Sequence, residues 1–196
     1  MSVKIAIFGS GSGTNAENII RYFKSSRLVE VVLVLSNKTD AYILERAKIH
    51  NIPSVVCVKN DFQNVDNLFP LLEKYQIDFV VLAGFLLQIP AALIHRYPNK
   101  IINIHPALLP KFGGKGMYGN KVHEAVLAAS EKESGITIHY IDEHYDSGSI
   151  ISQVTCDVMP TDTPQSLAER VHELEYKYFP KVIEDTICKE FNLSSE

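Results

Sequence analysis

Short apolar runs and longer stretches of helical spacing alternate through the first half of the chain. Lys4–Gly9 (KIAIFG) is too short for a helix and rich in β-branched residues, which predicts a strand. Thr14–Lys24 (TNAENIIRYFK) follows, with Ile19, Ile20 and Phe23 on one helical face and Thr14 or Asn15 placed to cap the first turn. The cycle repeats through strand Val29–Asn37, helix Ala41–His50, strand Pro53–Val58, a helix near Val65–Tyr75 and strand Phe79–Phe85. Such alternation implies crossover connections and a parallel sheet. A short helix near Pro90–Tyr97 then leads to the strand IINIHP, Ile101–Pro106.

Beyond that strand the pattern changes. A Gly-rich loop (Phe112–Gly119) and a helix (Lys121–Ser130) precede two strands, GITIHYID and SIISQVTCDV, separated by Glu143–Gly148. This hairpin-like pair predicts an antiparallel addition. A last amphipathic helix is expected from Thr163 or Pro164 to about Lys189, with Leu167, Val171, Leu174 and Tyr178 inward, and the tail FNLSSE is expected to fray. The fold class is therefore α/β: an open, mostly parallel twisted sheet with helices on both faces and an antiparallel C-terminal addition.

Composition narrows the setting. At 196 residues, 46% hydrophobic and 21% charged, the chain fits one globular domain. A net charge of −4 provides no footprint for nucleic acid or an anionic membrane, so any anion site must be local. Cys57, Cys156 and Cys188 form no C-x-x-C, which argues against a disulfide framework or thiolate zinc site and for reduced core thiols. Only Met1–Lys4 opens the chain and no apolar run approaches a membrane span, so a cytoplasmic protein without signal peptide is expected.

Three stretches could carry chemistry. GSGSGTN (Gly9–Asn15) lies between the first strand and its helix, where Gly residues let backbone N–H groups approach a phosphate at a helix N-terminus. Gly11, Gly13 and Ala16 satisfy a loose dinucleotide fingerprint, but Ser36-Asn37-Lys38 ends the second strand without the acid that would hold a ribose. A monophosphate fits better than a dinucleotide; a ligand-free tight turn is the plain alternative.

In the second stretch, Asn103 and His105 lie two apart on a strand, so both side chains share one face, at the strand's carboxyl end. An amide beside an imidazolium suits an oxygen that becomes negative, as in acyl transfer. The plain alternative is a strand-end His bonding a loop carbonyl. The third stretch, His139–Ile151 (HYIDEHYDSGSII), is dense in His and acid without metal-ligand spacing. It reads either as a solvated hairpin or as a loop carrying Asp146 to His105, raising the imidazole pKa by opposite charge.

Taken in order, AIFGSGSGTN, FVVLAGF, NIHPALLPKF and GITIHYIDEHYDSGSII cover nearly the whole chain and resemble the phosphoribosylglycinamide formyltransferases of purine biosynthesis, within the group that uses 10-formyltetrahydrofolate. The resemblance implies formyl transfer from 10-formyltetrahydrofolate to the amine of glycinamide ribonucleotide, without metal. It implies catalysis by Asn103, His105 and Asp146, and phosphate binding by Gly11, Ser12, Gly13, Thr14 and Asn15. Glu175 matches an acid that contacts the glycinamide substrate. Leu86, Leu87, Gln88 and Ile89, with Ile141, Asp142, Glu143, His144 and Tyr145, match the folate pocket.

On this reading residues 1–196 form one formyltransferase domain, with phosphate binding in about 1–100, catalysis and folate binding in about 101–190, and a tail after that. There are departures. Leu87 stands where relatives often have Arg, KNDFQNVDNL lacks an Arg found in some, and the loop after Leu-Leu-Pro is longer, displacing a His for which His123 is the candidate replacement. Alternatives are a folate-dependent formyltransferase acting on another amine, such as an amino sugar nucleotide, and a non-catalytic nucleotide-binding module, against which the missing ribose acid counts.

Overall fold

The computed structural model describes residues 2–194. In chain order the elements are β1 (Val3–Phe8), α1 (Thr14–Phe23), β2 (Val29–Ser36), α2 (Ile43–Ile49), β3 (Ser54–Val56), α3 (Lys59–Gln63) and α4 (Val65–Lys74). There follow β4 (Phe79–Leu82), α5 (Ala91–Arg96), β5 (Ile101–His105), α6 (Asn120–Ala128), β6 (Glu133–Tyr140), β7 (Ile150–Asp157) and α7 (Pro164–Glu190). One seven-stranded sheet has the order β3-β2-β1-β4-β5-β6-β7. Strands β1 to β5 pair in parallel; β6 and β7 join antiparallel, as the change of pattern beyond β5 predicts.

The chain walks outward from β1 to β3, then returns to lay β4 on the other side of β1. That reversal opens a crevice at the carboxyl ends of β1 and β4, where open α/β sheets bind ligands.

Each face of the sheet has its own core. Ile5, Ile7, Phe79, Val81, Ile102, Ile104, Ile136 and Ile138 pack against apolar residues of α1, α2, α6 and α7, including Ile19, Ile43, Val126 and Phe179. On the other face Ala6, Phe8, Leu33, Leu35, Val80, Leu82 and Ile101 lie under Phe62 of α3, Leu68 and Leu72 of α4 and Leu93 of α5. At β5 and β6 this second face becomes polar: Asn103 pairs with His139, and His105 with Thr137. The loop after β5 covers it there, since Thr137 Oγ1 donates to Ala107 O at 2.6 Å and accepts from Leu109 N–H at 3.0 Å.

Several expectations are revised. Neither Thr14 nor Asn15 caps α1: the N-cap is Gly13, and no side chain satisfies the first turn. Helix α3 carries only Phe62 as a buried apolar residue and has no periodicity to betray it. The tail does not simply fray, because Phe191 and Leu193 pack against the first core and Leu193 N–H reaches Cys188 O at 2.8 Å; Ser195 and Glu196 lie outside the described residues. Helix α7 begins as expected, with a reciprocal Thr163–Ser166 capping box. The three cysteines are free; Cys57 and Cys188 are buried and Cys156 partly so.

Candidate active site

A cavity of about 650 Å³ opens at the carboxyl rim, and the Gly-rich loop Ser10–Asn15 forms one wall. Gly13 is left-handed (φ 73°), and a Cβ there would lie 2.6 Å from Ile43 Cα, so a side chain would collide with the backbone at the start of α2. Gly11, by contrast, faces open space. The loop carbonyls point away into the protein: Gly11 O accepts from Ile43 N–H at 3.1 Å and Ser12 O from Arg46 Nε at 2.8 Å, with Arg46 paired to Glu17. The uncapped first turn of α1 therefore keeps N–H donors for an anion. Lys38 and Lys115 line the same cavity and bring cations to it.

The opposite wall is the end of β5. His105 is buried and its Nε2 donates to Phe112 O at 2.8 Å, which leaves Nδ1 facing Asp146 Oδ2 at 3.6 Å. Asp146 adopts a left-handed backbone (φ 52°), a conformation Asp tolerates better than most residues. Its other oxygen, Oδ1, lies 3.6 Å from His139 Nε2, and Oδ2 also accepts from Gly114 N–H at 2.8 Å. His139 Nδ1 donates to Tyr140 O at 2.8 Å, so its Nε2 is free to accept from Asn103 Nδ2 at 3.2 Å. One carboxylate thus faces two imidazoles and holds the Gly-rich loop through Gly114, and one of those imidazoles orients Asn103.

Burial pulls the His105 pKa below its ordinary value and outweighs Asp146 and the Phe112 bond, which push it up. This corrects the expectation of a raised pKa: Asp146 does reach the imidazole, but desolvation wins. Burial pushes the Asp146 carboxyl up, yet His139, His105 and the Gly114 N–H together hold it below the usual carboxylate range. The pair rests as a carboxylate beside a neutral imidazole.

A third group joins the two walls. Glu175, buried on α7, accepts from Asn15 Nδ2 and from His172 Nδ1, both at 2.8 Å, on the same oxygen. It is no solvent-facing helix acid, and its hydrogen bond raises the His172 pKa. Glu175, His172 and His123 all line the cavity.

The profile of the family described as formyl transferase matches residues 3–183. The chain belongs to the formyl transferase family. It is 44% identical over 193 residues to the chloroplastic phosphoribosylglycinamide formyltransferase of Arabidopsis thaliana, an alignment that covers 95% of this chain and 66% of that protein. It is 36% identical over 185 residues to the phosphoribosylglycinamide formyltransferase of Haemophilus influenzae, covering 92% and 85%. The solved structure of that enzyme from Bacillus halodurans superposes with a TM-score of 0.86 at 36% identity, covering 98% of this chain and 100% of that one. The chain thus spans about two thirds of the length of the plant relatives (66% and 61%).

Within this formyl transferase fold, the residues expected to bind folate separate into two groups. Leu86 and Tyr145 line the cavity. Ile89 is buried in the second core, with Leu87 and Ile141 packed against it. Gln88 Nε2 donates to Glu143 O at 2.9 Å, and His95 Nε2 lies 3.1 Å from Glu143 Oε1, so the two segments are drawn together beside the cavity. Asp142 folds its own turn, accepting from His144 N–H and Ser147 Oγ. Among the described residues, no group of three or more His, Cys, Asp or Glu could hold a metal, and no helix is long and apolar enough to cross a membrane.

Four polar residues escaped prediction. Thr137 and His139 had a signal, since the polar positions of ITIH alternate in register with those of NIH. His172 had a weaker one in its i,i+3 spacing to Glu175. Lys38 had none beyond its position after a strand.

Proposed function

We propose that this chain transfers the formyl group of 10-formyltetrahydrofolate to the amine of glycinamide ribonucleotide, giving formylglycinamide ribonucleotide and tetrahydrofolate. The observation that carries this is the meeting of Asn103, His105 and Asp146 at one end of a cavity whose other end is the uncapped Gly-rich turn. A phosphate tethered at Gly11, Ser12, Gly13, Thr14 and Asn15 would hold the acceptor so that its amine points at the strand end. Lys38 adds charge to that tether. Leu86 and Tyr145 offer apolar surface to the folate, whose pterin would enter between the segments joined by Gln88 and Glu143.

The neutral amine attacks the formyl carbon and the formyl oxygen becomes negative. Asn103, held by His139, donates to it from its amide. His105 takes up a proton more readily as that charge grows beside it, and Asp146 stabilises the imidazolium. Loss of a proton from the attacking nitrogen and its delivery to the folate nitrogen lets the adduct collapse to products. No side-chain nucleophile is required because the acceptor brings its own. We place the whole chain in one catalytic domain, on the ground that a single sheet carries both walls, and in the cytoplasm.

The test is a formyl-transfer assay of the purified protein with 10-formyltetrahydrofolate and glycinamide ribonucleotide, run beside an amino sugar nucleotide. Turnover of the ribonucleotide is expected. Turnover of the amino sugar alone, or of neither, would refute the proposal.

A further inference from the structure

Arg46 of α2 stands behind the Gly-rich loop and is not among the residues that line the cavity. Its Nε donates to Ser12 O at 2.8 Å, and its Nη1 bonds Glu17 Oε2. The other oxygen of Glu17 takes Arg21 Nη2 at 2.6 Å and His50 Nε2 at 3.2 Å. The Glu17 side chain is 13% exposed and that of Arg46 23%, so this pair is screened far less than Arg21, which is 67% exposed. The guanidinium also lies over the Tyr42 ring, 5.1 Å from its centroid. Arg46 is thus held by Ser12, Glu17 and Tyr42 together, and its planar fork has a fixed orientation.

A trans peptide points its carbonyl and its N–H in opposite directions. Ser12 O and Gly13 N–H belong to one peptide, so a carbonyl drawn toward Arg46 turns that N–H away from α2. Ser12 and Gly13 both line the cavity. Gly11 O is drawn the same way by Ile43 N–H at 3.1 Å, but that bond runs from backbone to backbone. Arg46 is therefore the side chain on which the orientation of the loop depends. The orientation needs such a hold, because Gly13 (φ 73°) has no Cβ to oppose rotation of the Ser12–Gly13 peptide.

Resting on the function proposed above, we infer that Arg46 is a positioning residue for the acceptor: by holding the Ser12 carbonyl outward it aims the Gly13 N–H into the cavity at the acceptor's phosphate. Arg46 touches no substrate. Its charge is set against that of Glu17, so little of its field reaches the phosphate and the action runs through the loop. Without the brace the Ser12–Gly13 peptide can rotate, and a rotated peptide presents a carbonyl oxygen to the phosphate in place of an N–H. A donor is then lost and a repulsion gained, and both fall on the acceptor rather than on the folate.

The experiment compares wild type with Arg46→Met, which keeps an apolar stem and removes every donor, and with Arg46→Lys, which keeps the charge but not the fork. Acceptors are glycinamide ribonucleotide and the corresponding riboside, which lacks the phosphate. Arg46→Met should raise KM for the ribonucleotide roughly ten-fold and Arg46→Lys by less, with kcat and KM for 10-formyltetrahydrofolate within about two-fold of wild type. With the riboside, kcat/KM should be the same in all three proteins. An equal loss with both acceptors, or a fall in kcat at unchanged acceptor KM, would overturn the inference, since either is what a merely structural role gives. Glu17→Gln separates bond from field, and serves alone if the Arg46 variants do not fold. A brace leaves the acceptor KM unchanged or raised; an Arg46 acting by charge would hold phosphate better once residue 17 is neutral, so a lowered KM also overturns the inference. A wild type that does not formylate the ribonucleotide rejects the function proposed above instead. The brace is then read from inorganic phosphate, which should raise the Tm of wild type more than that of Arg46→Met; equal protection would count against it.

Discussion

Strands β1 and β5 are both interior strands of the same sheet and run into loops at the same rim, yet they are built differently. In β1 both sets of alternating side chains are apolar: Ile5 and Ile7 face one core, Ala6 and Phe8 the other. In β5 only Ile102 and Ile104 keep to that rule, while the positions after Ile101 on the other side become Asn103 and His105. The difference follows the helices. Where α3, α4 and α5 supply apolar residues, the second face must be apolar. Past them a loop closes the sheet, and its backbone groups can satisfy polar side chains that a helix would leave unpaired. Side chains in the first region are held by packing, and those in the second by directional hydrogen bonds, so substitutions should separate into losses of stability and losses of rate.

The sharpest contrast is expected at Asn103. Asn103→Ala should lower kcat by ~10²–10³ while shifting the unfolding free energy by no more than about 1 kcal/mol. An active Ala variant would erase the distinction between the two strands.

Asp146→Asn comes next. It removes the carboxylate that faces both imidazoles, at nearly constant shape. Since Asp146 pushes the His105 pKa up against burial, the variant's His105 should titrate lower still, seen by NMR of the imidazole, and kcat should fall by at least about ten-fold. An unaltered titration would disconnect the loop from the strand.

On the packed side, Leu72→Ala should cost about 2–5 kcal/mol in denaturant unfolding, because Leu72 is fully buried against the second face. The kcat of the molecules that remain folded should be near that of wild type.

The two glycines sharpen the comparison at β1's own loop. Gly11→Val projects into open space and should raise acceptor KM roughly ten-fold with little loss of stability. Gly13→Val also destabilises the fold, by driving Ile43 away and straining a left-handed residue, so only Gly11 isolates the phosphate contact. Unchanged acceptor KM in Gly11→Val would remove the loop from phosphate binding.

The smallest effect is expected far from both strands. Asp162 takes two bonds from Arg170 and one from Met159 N–H, and its pKa lies well below the usual carboxylate range. A carboxyl depressed on folding stabilises the protein fully above the unfolded pKa near about 4, and that stabilisation fades as pH falls below it. Asp162→Asn should therefore cost about 1 kcal/mol at neutral pH, with the gap to wild type narrowing in acid melts. A gap independent of pH would assign the loss to something other than the charge.

Much of this protein was legible in its residues alone. Alternation of apolar runs determined the parallel sheet, because burial on both faces leaves no position free to be polar. The Asn-x-His pair stood out for that reason, as did the glycines between β1 and α1. The acid-rich stretch His139–Ile151 offered Asp146 as a partner for His105, and the family resemblance pointed to Glu175 in the last helix. Hidden from the sequence was everything that depends on which segments meet. His139 became the support of Asn103 only through the antiparallel register of β5 and β6. The balance at His105 was misjudged because opposite charge is visible in a sequence and desolvation is not. Gln88 and Glu143 are polar residues on separate loops until folding draws them together. Local pattern fixes which face of an element must be buried, whereas the energies of a site arise between elements distant along the chain, and only the tertiary structure sets those distances.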